Sequence, residues 1–380
     1  MPVYTICCSV TVAILFAALT GCDNTSVPDS SQPSTKVNQV DNRELELFRF
    51  EGICDGSAVV QLPNKNLLVA YDEENTLYEF SASGGAILNE YPYGRLPVAT
   101  SAVHNPEVDV EGAVAVKPYL WWVGSHGNDG RGRPAPNRQQ LFRTIVSADS
   151  AGQTRVEVLE ETFDLLPTLL TQGKAAGLLN ESMLKRKPKK GGINIEGLSV
   201  LDNGNLLLGL RSPLTDQIVA TQIAAKKKSA GDDTPDAVAH RAGSAIAAEV
   251  DVSALPPRVT GFHLLDLDNR GIRDLYATDT GFVVIAGDVA SGGRFSIYRW
   301  APGSQPRRLL DLPAHFNAEA IIKVQGHWLV FSDDGKVKRH DESAADGDRQ
   351  CDAIRRNNPM ANRHPSVFFR ALVLNEQLLQ

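Results

Sequence analysis

The chain has 380 residues, 42% of them hydrophobic and 22% charged, with a formal net charge of −7. That apolar content over this length supports a substantial core and excludes a wholly disordered chain. The mildly acidic balance lacks the basic footprint of a nucleic-acid binder, so no nucleic-acid partner is expected.

In chain order, Val10 to Leu19 is apolar or small and ends in Leu19-Thr20-Gly21-Cys22. So short an apolar run reads as an export signal rather than a membrane span. Its ending resembles the lipobox of bacterial lipoprotein precursors. That resemblance implies that residues 1–21 are removed and that Cys22 carries lipid, with acyl chains of the palmitate kind. The expected location is a bacterial membrane, facing the periplasm. Asp23 resembles the inner-membrane retention signal of enteric bacteria and favours that membrane. One departure is the lack of Lys or Arg ahead of the apolar run. Residues 22–42 are polar, contain no aromatic residue and read as a flexible tether.

Residues 43–374 read as one all-β domain. Leu45 to Phe50 alternates apolar and polar residues, as a strand does, and has no hairpin partner nearby. Five repeats follow, each with an acid, an apolar strand, a polar turn and a second apolar strand. Their first strands begin near Ser57, Gly112, Leu198, Asp274 and Ala320. Four repeats supply four strands; in the third, the crossing strand is either Ile218 to Ala224 or Ala245 to Val252. The fifth supplies only three, ending with Val367 to Leu374. The orphan strand at Leu45 fits that gap, because β-propellers close by pairing an N-terminal strand into the last blade. A five-bladed β-propeller is therefore expected. Six blades is the alternative, if the insertion after the second repeat hides one.

Three insertions interrupt the ring, at 161–192, 224–245 and 333–365. The first has apolar residues at helical spacing over Glu161 to Met183 and predicts two short helices. It then runs into Lys-Arg-Lys-Pro-Lys-Lys at 185–190, which reads as a solvated loop, or alternatively as an anion patch. With Cys7, Cys8 and Cys22 assigned to the signal and anchor, two cysteines remain, Cys54 and Cys351. In an oxidising compartment they can bridge, or Cys54 is a small buried apolar residue.

Each repeat carries a carboxylate at or just before its innermost strand: Asp55, Glu111, Glu196, Asp274 and Glu319. In a propeller these strands line the central channel, so the five would form a ring. Such a ring would hold a hard cation such as Ca²⁺, keep some carboxyls protonated for acid–base work, or be neutralised by Arg and backbone N–H groups, with Arg211, Arg270 and Arg273 at hand. His126, within Gly124-Ser125-His126-Gly127, Glu196 and Arg211 are the candidate catalytic residues. No nucleophile-elbow, zinc or phosphate-loop motif is present.

Gly52-Ile53-Cys54-Asp55-Gly56-Ser57, Val123 to Gly127, Asn194 to Leu198, Arg270 to Asp274 and Ser332 to Gly335 resemble the motifs of a bacterial family known only as a domain of unknown function. The resemblance covers nearly all of the chain after the tether. It implies a propeller and no set activity. More loosely, the arrangement is similar to phytase-like esterase propellers and calcium-activated nucleotidases, which are five-bladed with an axial calcium. Two functions are therefore expected in competition. One is a membrane-anchored, monomeric scaffold that binds a protein or small-molecule ligand. The other is a calcium-dependent hydrolase of phosphate or other esters.

Overall fold

The computed structural model describes residues 38–39, 46–93, 107–150, 152–217, 243–290, 293–340, 348–357 and 364–379. Cys22, the expected signal, most of the tether and the alternative strand Ile218 to Ala224 lie outside them. Within the tether, Asn38 and Gln39 are described. They pair parallel with Leu310 and Asp311, so structure begins earlier than its composition predicts.

Five antiparallel sheets make a five-bladed propeller. Blade one is Ala58–Gln61, Leu67–Ala70, Thr76–Phe80 and Asn89–Pro92. Blade two is Val110–Val116, Tyr119–Gly124, Leu141–Ala148 and Thr154–Phe163. Blade three is Asn194–Val200, Leu206–Ser212, Ala245–Asp251 and Arg258–Leu265, so the later candidate is the crossing strand. Blade four is Gly271–Thr278, Gly281–Gly287, Phe295–Trp300 and Arg307–Asp311. Blade five takes Ala318–Val324, His327–Ser332 and Phe368–Asn375 from the C-terminal region, and Leu47–Glu51 completes it. Phe50 pairs with Phe369 and Arg49 with Arg370, which closes the ring. The insertion after blade two forms a helix, Leu166–Ala175, and a 3₁₀ turn, Glu181–Lys185. It adds no blade among the described residues, which removes the six-bladed alternative.

The apolar core lies between blades. Trp121 and Val123 of blade two meet Leu198 and Leu208 of blade three. Leu207 and Ala247 of blade three meet Ile272 and Val284 of blade four. At the closing seam Phe50 stacks on Phe369 at 5.0 Å and sets its edge to Phe80 at 5.4 Å. A strand sandwiched on both faces needs apolar residues at consecutive positions, which explains the run Leu206-Leu207-Leu208. The axis is left to the ends of the inner strands, and those are polar.

The inner strands approach each other too closely for side chains at some positions. A Cβ on Gly112 would lie 2.9 Å from the Leu198 backbone nitrogen and 2.8 Å from its Cβ. Gly112→Val is expected to destabilise the protein by about 1–3 kcal/mol through overpacking. Urea unfolding reads this directly, and an unchanged midpoint would show that the blades can slide apart at this point.

Candidate functional site

Four of the inner strands contain a β-bulge near their start. Pairing runs from Val110 straight to Gly112, from Ile195 to Gly197, from Ile272 to Asp274 and from Ala318 to Ala320. The skipped residues are Glu111, Glu196, Arg273 and Glu319. A bulged residue has no ladder partner, and its side chain is re-aimed. All four line a central cavity of about 720 Å³. In blade one, Asp55 takes the corresponding place just ahead of the strand, bridged to Asp333. The ends of the second strands add Asp72, Arg211 and Asp333.

This corrects the expected ring at one member. Asp274 does not line the cavity. Its carboxylate accepts hydrogen bonds from the Ile321 N–H at 2.8 Å and the Leu275 N–H at 2.7 Å, tying blade four to blade five. It stands where blades two and three have Gly112 and Gly197. The blade-four counterpart of Glu196 is Arg273, so one of the five ring positions is a cation.

Arg273 is 3% exposed; its Nε lies 2.8 Å from Glu196 Oε2 and its Nη2 contacts Glu319. Burial works against its charge, but Glu196, Glu319 and Glu111 outweigh it and hold the guanidinium protonated. Arg211 Nη1 donates to Glu196 Oε1 at 2.7 Å, and Asn194 Nδ2 donates to the same oxygen at 2.6 Å. Glu196 is thus held by two arginines. Burial raises Glu319 to about 7, against the pull of Arg273 and with the push of Glu196 and Asp333.

Toward blades one and two the acids lining the cavity outnumber the cations. Asp72, Asp109 and Glu111 each offer an oxygen, and these oxygens lie within 4.8 Å of one another. Burial and then the charges of Asp109 and Asp333 push the Asp72 carboxyl well up. Burial does the same to Glu111, helped by Glu196 and Asp109. Asp109 rises to about 7 through burial and the charge of Glu196, against the Ser125 hydrogen bond. Arg138 Nη1 reaches Asp109 Oδ2 at 2.8 Å. Asp55 is 5% exposed, and its Oδ1 has no hydrogen-bond partner among the described residues. Burial and the charges of Asp72 and Asp333 raise its pKa. Across the whole cavity, ten carboxylates face six lysines and arginines.

Asp72 and Asp109 are the site residues that sequence reading did not single out as ligands. Both sit outside the strands. Asp109 comes into position through a left-handed backbone, φ 56°, just before blade two. Asp72 follows the second strand of blade one, and its place just past a strand end is the signal that the sequence offers.

His126 is not part of this cavity. It is 2% exposed, its Nδ1 lies 2.8 Å from the Gly124 carbonyl oxygen, and its Nε2 accepts from the Leu165 N–H at 3.3 Å. Nδ1 must then carry the proton and donate to Gly124. With both nitrogens occupied and burial pushing its pKa down, His126 is a neutral fastener between blade two and the helical insertion, and it lines a separate cavity of about 310 Å³.

Cys54 and Cys351 form a disulfide with Cα atoms 5.8 Å apart. It joins the segment before blade one to helix Cys351–Asn357 of the third insertion. On either side, Asp334 N–H donates to the Cys54 carbonyl, and Arg355 binds Glu74 and the Gly52 carbonyl.

No curated protein matches the chain. Among solved structures, the chain is similar to virginiamycin B lyase from Staphylococcus aureus, at 10% identity over 78% of this chain and 84% of that one, with a TM-score of 0.34. It is likewise similar to the PQQ-bound aldose sugar dehydrogenase of Streptomyces coelicolor, at 10% identity over 87% and 99% of the two chains, with a TM-score of 0.38. Likenesses this distant carry no argument about the chemistry of the cavity. A family model described as Protein of unknown function (DUF3616) matches residues 55–147 and 134–325, more than half of the chain, and the chain belongs to that family.

Proposed function

We propose that this propeller is a binding protein for a divalent cation and a small ligand, with Asp72, Asp109 and Glu111 holding the cation and Asp55 facing it. The observation that carries the reading is the close approach of three carboxylate oxygens beside the unpartnered Asp55 Oδ1. Like charges this near, removed from water, need either protons or a cation. The donors are all oxygens, which suits a hard ion, and Ca²⁺ tolerates an irregular set of six to eight of them better than Mg²⁺. Lipidation of Cys22 would tether such a protein to a membrane on its periplasmic side, as a monomer. The ester-hydrolase reading draws on Glu319, whose pKa of about 7 suits proton transfer.

Calorimetric titration of the purified full chain with Ca²⁺ tests the cation site. Saturable binding is expected, reduced at least tenfold, about 1.4 kcal/mol, by Asp72→Asn. No binding at millimolar Ca²⁺, or binding unaffected by Asp72→Asn and Glu111→Gln, overturns it.

The raised carboxyl pKa values fix the pH dependence. Asp109 and Glu319 hold protons in the folded state up to about pH 7, whereas in the unfolded chain they lose them near 4. The folded state therefore binds more protons between these values, and stability of the cation-free protein falls as pH rises from 4 to 7. Ca²⁺ must displace the Asp109 proton, so its affinity runs the opposite way and drops by up to about tenfold per pH unit below 7. Melting temperatures from pH 5 to 8, with Ca²⁺ and with chelator, should diverge toward high pH; parallel curves would count against the linkage.

A further inference from the structure

Two chain segments bring the acids of blade one to the cavity, Gly52 to Asp55 and Tyr71 to Glu74. Neither lies in the blade: its first strand begins at Ala58 and its second ends at Ala70. Apart from the single bridge of Asp55 to Asp333, the ladder does not fix these acids. They also repel each other, since the charge of Asp72 works against that of Asp55. Helix Cys351–Asn357 of the third insertion grips both segments. At its start, Cys351 is bonded to Cys54, the neighbour of Asp55, and Asp352 accepts from the hydroxyl of Tyr71, the neighbour of Asp72. The Cys351 and Asp352 N–H groups donate to the Val337 and Gly335 carbonyls, each at 3.1 Å, which fixes the helix to the loop after the second strand of blade five.

Arg355, one turn on, grips the same two segments again. Its Nε donates to Glu74 Oε1 at 2.7 Å and its Nη2 to Glu74 Oε2 at 2.8 Å, a two-pronged pair. Nη2 also donates to the Tyr78 hydroxyl at 3.0 Å, and Nη1 contacts the Gly52 carbonyl oxygen. Burial works against its charge, but the hydrogen bonds to Glu74 outweigh it and hold the guanidinium protonated. One rigid fork therefore spans the segment of Asp72 and the segment of Asp55, while Arg355 itself does not line the cavity.

We propose that Arg355 is a positioning residue of the cavity: from outside it, together with the disulfide, it holds Asp55 and Asp72 at the separation that a bound cation needs. The inference rests on the cation reading for what the two acids hold. Groups behind a metal's ligands orient them, and their loss weakens the metal about 10–100-fold. Electrostatics alone predicts the opposite sign. Arg355 is a positive charge on the segments that carry the acids, so removing it without moving them would tighten a cation.

Calorimetric titration of the purified full chain with Ca²⁺ reads the sign. Arg355→Met is expected to weaken Ca²⁺ by about tenfold or more. Arg355→Lys keeps the charge but not the fork, so it should lose nearly as much; it also carries the test if the methionine variant does not fold. Arg299→Met is the control. It removes an arginine whose Nη2 donates to the Leu379 carbonyl at 2.6 Å, away from the cavity, and Ca²⁺ affinity should stay within about twofold. Unchanged or tighter Ca²⁺ binding in the Arg355 variants overturns the proposal, as does an equal loss in Arg299→Met. Hydrogen exchange in chelator separates this failure from that of the cation reading. Amides of residues 52–55 and 71–74 should exchange about tenfold faster in Arg355→Met and no faster in Arg299→Met. If wild-type chain binds no Ca²⁺, the cation reading fails, and faster exchange in both segments still supports the hold by Arg355. Unchanged exchange in both overturns it.

Discussion

Arg273→Met is expected to destabilise the protein by about 3–5 kcal/mol at neutral pH, the cost of leaving buried charges without their partner. Arg273 is held between Glu196 and Glu319 with only 3% of its side chain exposed. Methionine fills much of the volume but leaves two carboxylates facing Glu111 across the cavity. Those carboxylates can escape by taking protons, so the loss should shrink as pH falls toward 5. Adding Glu319→Gln should recover part of the stability, and the double-mutant cycle measures how much of it the pair carries. Urea unfolding at pH 5 and 8 gives both numbers. A loss below about 1 kcal/mol at pH 8 would place this cluster with exposed ion pairs, solvated well enough to need no arginine.

Removal of the disulfide by Cys54→Ser with Cys351→Ser is expected to cost up to about 6 kcal/mol in the chain-entropy account. The bridged residues are 297 apart in sequence, so the reduced unfolded chain gains the freedom of a very long loop. The bridge crosses the seam where blade five meets blade one. It also fixes helix Cys351–Asn357, whose Asp352 accepts from the Tyr71 hydroxyl at 3.0 Å. Denaturant unfolding of the oxidised, reduced and double-serine forms checks this. Coincident curves would mean that the aromatic cluster around Phe50 holds the seam unaided.

The architecture was legible because strand counting is robust. The lone strand at Leu47–Glu51 and a fifth repeat short of one strand could be matched without knowing any contact. The acid ring was legible to within one residue. Asp274 is the acid nearest the blade-four position, but aligning Glu111-Gly112, Glu196-Gly197 and Glu319-Ala320 puts Arg273 in the same column. A one-residue shift reverses the face of a strand, which is why the difference matters. The Asp72–Asp109 approach was not legible, since it depends on a left-handed residue and on the bulge at Glu111. His126 looked reactive because its flanking glycines suggest an open turn, yet burial and two hydrogen bonds occupy its ring. The lysines of the basic run are exposed, as its composition predicts, but nothing in that composition reveals that Asn128 and Gly192 give the run a fixed bend.

Ring closure by Leu47–Glu51 has a consequence for the order of folding. Its partner Phe368–Asn375 is made more than three hundred residues later, so blade five stays incomplete until that strand has been synthesised. Blades one to four draw their strands from consecutive sequence, apart from the short parallel edge at Asn38–Gln39, and can assemble locally. The last step is a contact of very high sequence separation, the kind whose loop-closure entropy slows folding. Until then Phe48 and Phe50 sit on an unpaired edge beside an open inter-blade face, exposed to pairing with the wrong strand. The Cys54–Cys351 bond spans the same seam, so once formed it shortens the loop that this closure has to bring together.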